Sequence, residues 1–125
     1  KGKPQVKNLF ITIALSLLIS TSAFAEEMTI AAVHDNMKQL EGKQVTITGN
    51  VVKVNNGIMR RNFLHVETTK KGKGSNQLKL IVTSGQTANV GQNVTVTGTV
   101  VLNTDFGMGY KYPLLVEKST IKVNK

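Results

Sequence analysis

The sequence predicts an all-β protein with small α content: five strands curled into a Greek-key barrel behind a short N-terminal helix. Three observations predict it. Apolar and polar residues alternate in five separate runs, the period of half-buried strands. The stretch "GKQVTITGNVV" at 42–52 recurs as "GQNVTVTGTVV" at 91–101, with seven of eleven positions identical. Each copy carries a glycine inside the strand, Gly49 and Gly98, where a small closed sheet needs a bend or bulge. Gene duplication is one account of the repeat. The same structural demand met twice is the account preferred here.

The elements follow in order. Lys1, Lys3 and Lys7 precede an apolar run, Leu9 to Ile19, and then Ala23-Phe24-Ala25. A basic start, an apolar stretch and an A-x-A site are the layout of a secretory signal peptide. The run is short for a bilayer span, which takes about 20 residues; an uncleaved anchor is the alternative. Residues 1–25 are therefore expected to be a cleaved leader, and 26–125 a single domain. "MTIAAVHDNMKQL" at 28–40 places Ile30, Val33, Met37 and Leu40 at helical spacing, with Thr29 to cap the start and Gly42 to end it. The first strand, "KQVTITGNVVKV", alternates Val45, Ile47 and Val51 against Gln44, Thr46, Thr48 and Asn50. "IMRRNFLHVETT", "QLKLIVTS", "QNVTVTGTVV" and "PLLVEKSTIKV" are the other four. Turn chemistry marks 55–57 ("NNG") as a hairpin turn, 70–77 ("KKGKGSNQ") as a basic flexible loop, and 103–112 ("NTDFGMGYKY") as a long connection rich in glycine and aromatics.

Composition narrows the chemistry. The chain has 125 residues and a formal charge of +9; without the three leader lysines, thirteen basic residues face seven acidic ones, a net +6. A basic exported protein meets anionic partners, such as nucleic acid, lipid head groups or acidic glycans, although the same charge also suits a merely soluble surface. Cysteine is absent, which excludes disulfides and any Cys-based zinc or redox site. No nucleophile triad, paired carboxylates or phosphate-binding glycine loop stands out, so no enzyme activity and no cofactor are expected. His34 and Met37 share a helix face as a possible soft metal pair. The simpler reading puts Met37 in the core and His34 on the surface, so no metal site is expected.

"VTITGNVVKV", "IMRRNFLHVE", "GQNVTVTGTVV" and "DFGMGYKYPLLVEKSTI" together resemble a group of small exported bacterial OB-fold proteins, related to the nucleic-acid-binding tRNA-anticodon type. The resemblance covers nearly all of 42–123. Where that group carries "GRNW", this chain has Arg60-Arg61-Asn62-Phe63. Where it carries an Asp-Gly-Thr-Gly turn, this chain has Thr68 to Gly74, with three lysines. The resemblance implies a five-stranded OB barrel, while the short, simple leader, bacterial in look, makes the periplasm the expected compartment.

In an OB barrel the outer face of strands two and three, with the loops joining strands one–two and four–five, takes the ligand. If Leu64 and Val66 face the core, then Phe63, His65 and Glu67 face outward. Lys79 faces outward likewise, opposite in parity to Leu78 and Leu80. Phe106, Tyr110, Lys111 and Tyr112 should overhang the same face, and Arg60, Arg61, Lys70, Lys71 and Lys73 add charge at its borders. Rings beside cations suit single-stranded nucleic acid, because bases stack while cations track phosphates; a sugar polymer such as an acidic glycan suits the same surface. The structural alternative is that Phe106 and Tyr110 form a satellite core closing one end of the barrel. The functional expectation is a non-enzymatic periplasmic binding module for such a polymer. The rival is an envelope protein-interaction or stress-accessory module that docks on a protein partner or self-associates.

Overall fold

Thr29 starts the helical segment, its hydroxyl accepting the Ala32 amide hydrogen at 2.9 Å. The computed structural model describes residues 25–69 and 78–125. The leader expectation, apart from Ala25, and Lys70, Lys71 and Lys73 lie outside the described residues. The helix expected over 28–40 is two short ones, α1 (Ile30–Asp35) and α2 (Met37–Leu40). They part at Asn36, whose amide and side-chain nitrogens both donate to the Ala32 carbonyl, at 3.0 and 2.9 Å. Asparagine competes in this way for local backbone bonds and interrupts a helix. The apolar stripe is retained: Ile30, Val33 and Leu40 are buried in the main core.

The strands are β1 (Glu26–Glu27), β2 (Gln44–Ile58), β3 (Arg61–Glu67), β4 (Lys79–Ser84), β5 (Asn93–Asp105) and β6 (Lys111–Val123). They form one six-stranded sheet in the order β1-β2-β3-β4-β6-β5, and β2 also pairs with β5. The pairing thus returns on itself as a ring. The five expected strands are all present; β1 is an addition, a two-residue parallel strand on β2. β2 closes the ring because it changes partner along its length. Residues 44–50 lie antiparallel to β5, and the stretch from Asn50 onward lies against β3. The inward set Val45, Ile47 and Val51 is buried with residues such as Leu64, Val66, Leu80 and Val96. These are β-branched and leucine side chains suited to a pleated, half-buried surface. Outside, Thr46 pairs with Thr97 and Thr48 with Thr95 through their hydroxyls, at 2.9 and 3.3 Å.

The two mid-strand glycines sit where other strands pass too close for a side chain. A Cβ at Gly49 would lie 2.5 Å from both the Glu67 carbonyl and Val66 Cγ1; one at Gly98 would strike Ser119 and lie 2.8 Å from Val116 Cγ1. The first hairpin differs from expectation. β2 runs through 55–57, with Gly57 in a bulge at φ +76°, and the turn is Met59-Arg60 at φ +52° and +66°. Two positive φ values are the geometry usually built from Asn-Gly. Here two ordinary residues adopt it, at about 1–2 kcal/mol each. Side-chain bonds hold it: Asn62 Oδ1 accepts from the Gly57 amide at 2.9 Å, and Asn62 Nδ2 donates to the Gln86 carbonyl at 3.0 Å.

Gly98→Ala should therefore lower stability by about 1–3 kcal/mol, the usual cost of overpacking, read as a lower urea midpoint at unchanged slope. Gly85→Ala, where a Cβ meets nothing within 4 Å, should leave the midpoint in place or raise it slightly.

Candidate binding face

The connection between β5 and β6 is tighter than its sequence suggests. Thr104 pairs with Tyr112 and Asp105 with Lys111, so the strands grow into it and leave five loop residues, Phe106 to Tyr110. That is within the ordinary range for a hairpin. Asp105 Oδ1 accepts from the Gly107 amide at 2.8 Å, the Phe106 amide donates to the Tyr110 carbonyl at 2.8 Å, and the Tyr110 amide donates to the Gly107 carbonyl at 2.9 Å. Gly107 and Gly109 take φ of +89° and +86°, values that glycine adopts without a Cβ penalty. The result is a compact hairpin end that brings Phe106 and Tyr110 to one side.

Those rings reach β3. Phe63 lies 5.6 Å from Phe106, edge to face, 6.1 Å from Tyr110 and 5.6 Å from Tyr112, centroid to centroid. Phe106 and Tyr112 are 6.1 Å apart. These are the separations favoured by aromatic pairs. The Arg61 guanidinium carbon sits 4.8 Å above the centre of the Phe106 ring, a cation–π distance. Phe63 has the parity opposite to its core neighbours Leu64 and Val66, as expected, but it is not open to solvent: it is 1% exposed. The expectation of a ligand-facing Phe63 is therefore corrected. The hairpin rings cover it, and Thr83, directly across on β4, is buried beside it. Phe63 is the floor of the cluster. Phe106, Tyr110 and Tyr112 are half-buried and form its walls.

The other singled-out residues fall into two groups. Lys111 is exposed next to Tyr112, on a cleft of about 330 Å³ lined also by Asn103, Asp105 and Pro113. Arg60 is exposed on the strained turn. Further along the same face, His65 is half-buried and Lys79 exposed. Register adds a residue that the sequence reading missed: Lys53 lies directly opposite His65 on β2. A bulge between Val51 and Lys53 breaks the alternation there, so parity counted from Val45 does not carry through to Lys53. Burial, then the charges of Lys53 and Lys79, push the His65 imidazole below its ordinary pKa. Burial, then Tyr110, raises the Tyr112 phenol above its usual range.

A larger groove, about 750 Å³, shares no residue with this face; it is lined by Met28, Ile30, Thr46, Thr48 and Leu78 among others. It is largely apolar and threonine-lined, with Glu27 its one ionisable group, and it lacks the rings and cations of the β3 face. Among the described residues no three His, Asp or Glu side chains gather as a metal site, and no helix is long and apolar enough to cross a membrane.

Ring-like β pairing and a rimmed aromatic and cationic face thus define a β-rich domain with a candidate binding surface. Neither a protein-family model nor a curated protein matches the chain. Among solved structures, one described as a putative aspartyl-tRNA synthetase from Leishmania major Friedlin superposes with a TM-score of 0.51 at 12% identity, over 86% of this chain. This chain spans 23% of that one. The likeness is one of fold.

Two outcomes follow. Phe63→Ala should cost about 3–5 kcal/mol of stability, as for other buried phenylalanines, measured by chemical denaturation. His65 binds protons more readily in the unfolded chain than in the folded one, so stability should fall as pH drops from about 6.5 toward the depressed folded pKa. His65→Gln should flatten that slope in thermal melts run across the same range.

Proposed function

We propose that the protein is a non-enzymatic binding module of the OB type, a five-stranded Greek-key barrel that takes single-stranded nucleic acid on its aromatic face. The observation that carries this reading is the Phe63 cluster, four rings with Arg61 over one of them. Half-exposed rings give a base a surface to stack on, at about 1–3 kcal/mol per base. Arg61, Lys111, Lys53 and Lys79 surround them with charge for phosphates. The ring of strand pairings is what an OB barrel needs, and β3 and β4, its second and third barrel strands, form the face on which OB domains bind oligonucleotides. The fold likeness to part of a tRNA synthetase chain agrees with that use. The leader-like residues 1–25 support export, and the periplasm is the compartment proposed.

A second reading rests on Met108. It is 92% exposed at the hairpin tip, between two glycines. A protruding methionine suits a protein-docking site on an envelope partner, and under that reading the rings beneath it serve only as its support.

The two readings separate on one variant pair. Tyr110→Ala should weaken oligo(dT) binding by about 1–3 kcal/mol and also lower the melting temperature, because the ring covers Phe63, while Met108→Ser leaves affinity unchanged. Affinity should also fall with salt, with a log–log slope of about −0.7 per phosphate neutralised on a single strand. A wild-type protein that binds no oligonucleotide, or a Tyr110→Ala variant that keeps wild-type affinity, would contradict the proposal.

A further inference from the structure

The cations on the β3 face are not scattered. Lys53 and His65 are direct cross-strand partners, and His65 faces Ile81 on the other side. Lys79 lies two residues along β4 from Ile81, opposite Glu67. Direct partners hold their Cβ atoms about 4.5–5.5 Å apart and diagonal ones about 7–8 Å, so both lysines reach the imidazole. His65 follows Phe63 by two residues on the same face, about 7 Å along the strand. The ring cluster seated on Phe63 and the cluster of Lys53, His65 and Lys79 are therefore neighbours on one face.

From this placement we infer that Lys53, His65 and Lys79 form a phosphate subsite that strengthens as His65 takes up a proton. The inference rests on the nucleic-acid reading above and adds to it where the phosphodiester sits and how acidity regulates its hold. A neutral imidazole between two ammonium groups accepts a proton reluctantly. A phosphate placed among the three reverses that balance, because its charge offsets the lysines and accepts a hydrogen bond from the imidazolium. The charged and titratable groups facing His65 are Lys53 from β2, Lys79 from β4 and, on its own strand, Glu67. Glu67 lies across from Lys79 and Asn50, so its carboxylate moderates the repulsion without occupying the centre. Ile81, half-buried opposite His65, walls one side against water. Linkage sets the sign. Phosphate raises the histidine pKa, so affinity climbs as pH falls through the raised, bound value and levels off below the free one. An exported protein exposed to external acidity would hold its strand more tightly in acid.

The test is an NMR pH titration of the His65 ring protons, assigned by His65→Gln, in the free protein and with oligo(dT) or tripolyphosphate. Oligo(dT) should raise the His65 midpoint by about one unit, matched by a roughly tenfold gain in wild-type affinity from about pH 8 to about pH 5. His65→Gln should abolish that gain while still binding at the higher pH. Lys53→Gln should weaken binding throughout and raise the midpoint in the free protein, a readout that loss of packing alone would not give. Oligo(dT) binding with an unmoved His65 midpoint overturns the subsite and leaves the nucleic-acid reading standing. A midpoint raised by tripolyphosphate, without oligo(dT) binding, keeps the subsite and overturns that reading. No response to either probe overturns both.

Discussion

The sheet that carries the candidate face closes on itself because β2 serves two partners. Its first half lies against β5 and its second against β3, and Asn50 is registered with both Asn93 and Glu67. One strand can do this only if it crosses close to its neighbours at the changeover, and Gly49 leaves that space. Gly98, next to the opposite closure of β5 on β6, meets the same demand. The changeover closes the pairing into a ring, and along its β2–β3–β4 side Lys53, beyond the bulge, joins the odd-numbered residues of β3 and β4 on the outer face.

The aromatic cluster then plays two parts at once. Phe63 is buried on the outer side of β3, which a solvated sheet face does not ordinarily allow. It is buried because the β5–β6 hairpin folds Phe106, Tyr110 and Tyr112 over it. The satellite core and the proposed binding platform are one object: the floor stabilises the hairpin, and the upper rings stay half-exposed. Arg61 couples them, since it follows directly from the strained Met59-Arg60 turn and lies over the Phe106 ring.

Much of this was legible in the residues. Alternation sorted Val45, Ile47, Val51, Leu64 and Val66 inward correctly, and the repeated glycine-bearing strand pointed to closure. Thr29 acted as the helix cap that its type and place suggest. What was not legible has physical causes. Asn36 breaks the helix by local bonding that periodicity does not register. The first turn falls at Met59-Arg60 rather than at Asn55-Asn56-Gly57, because Asn62 ties Gly57 into a bulge and lets two non-glycine residues bear positive φ. Phe63 had the expected parity and the wrong exposure, since parity says which way a side chain points and nothing of what covers it. Lys53 was hidden by the bulge before it.

The protein has no tryptophan and only two tyrosines, Tyr110 and Tyr112, both in the cluster. Its intrinsic emission therefore reports on the proposed platform and nowhere else. Titrating the protein with oligo(dT) while following tyrosine emission tests the central claim that bases stack on these rings. The account predicts saturable quenching that added salt reverses. Emission that stays constant while oligo(dT) binding is detected by another method would contradict it, because the strand would then lie elsewhere on the surface.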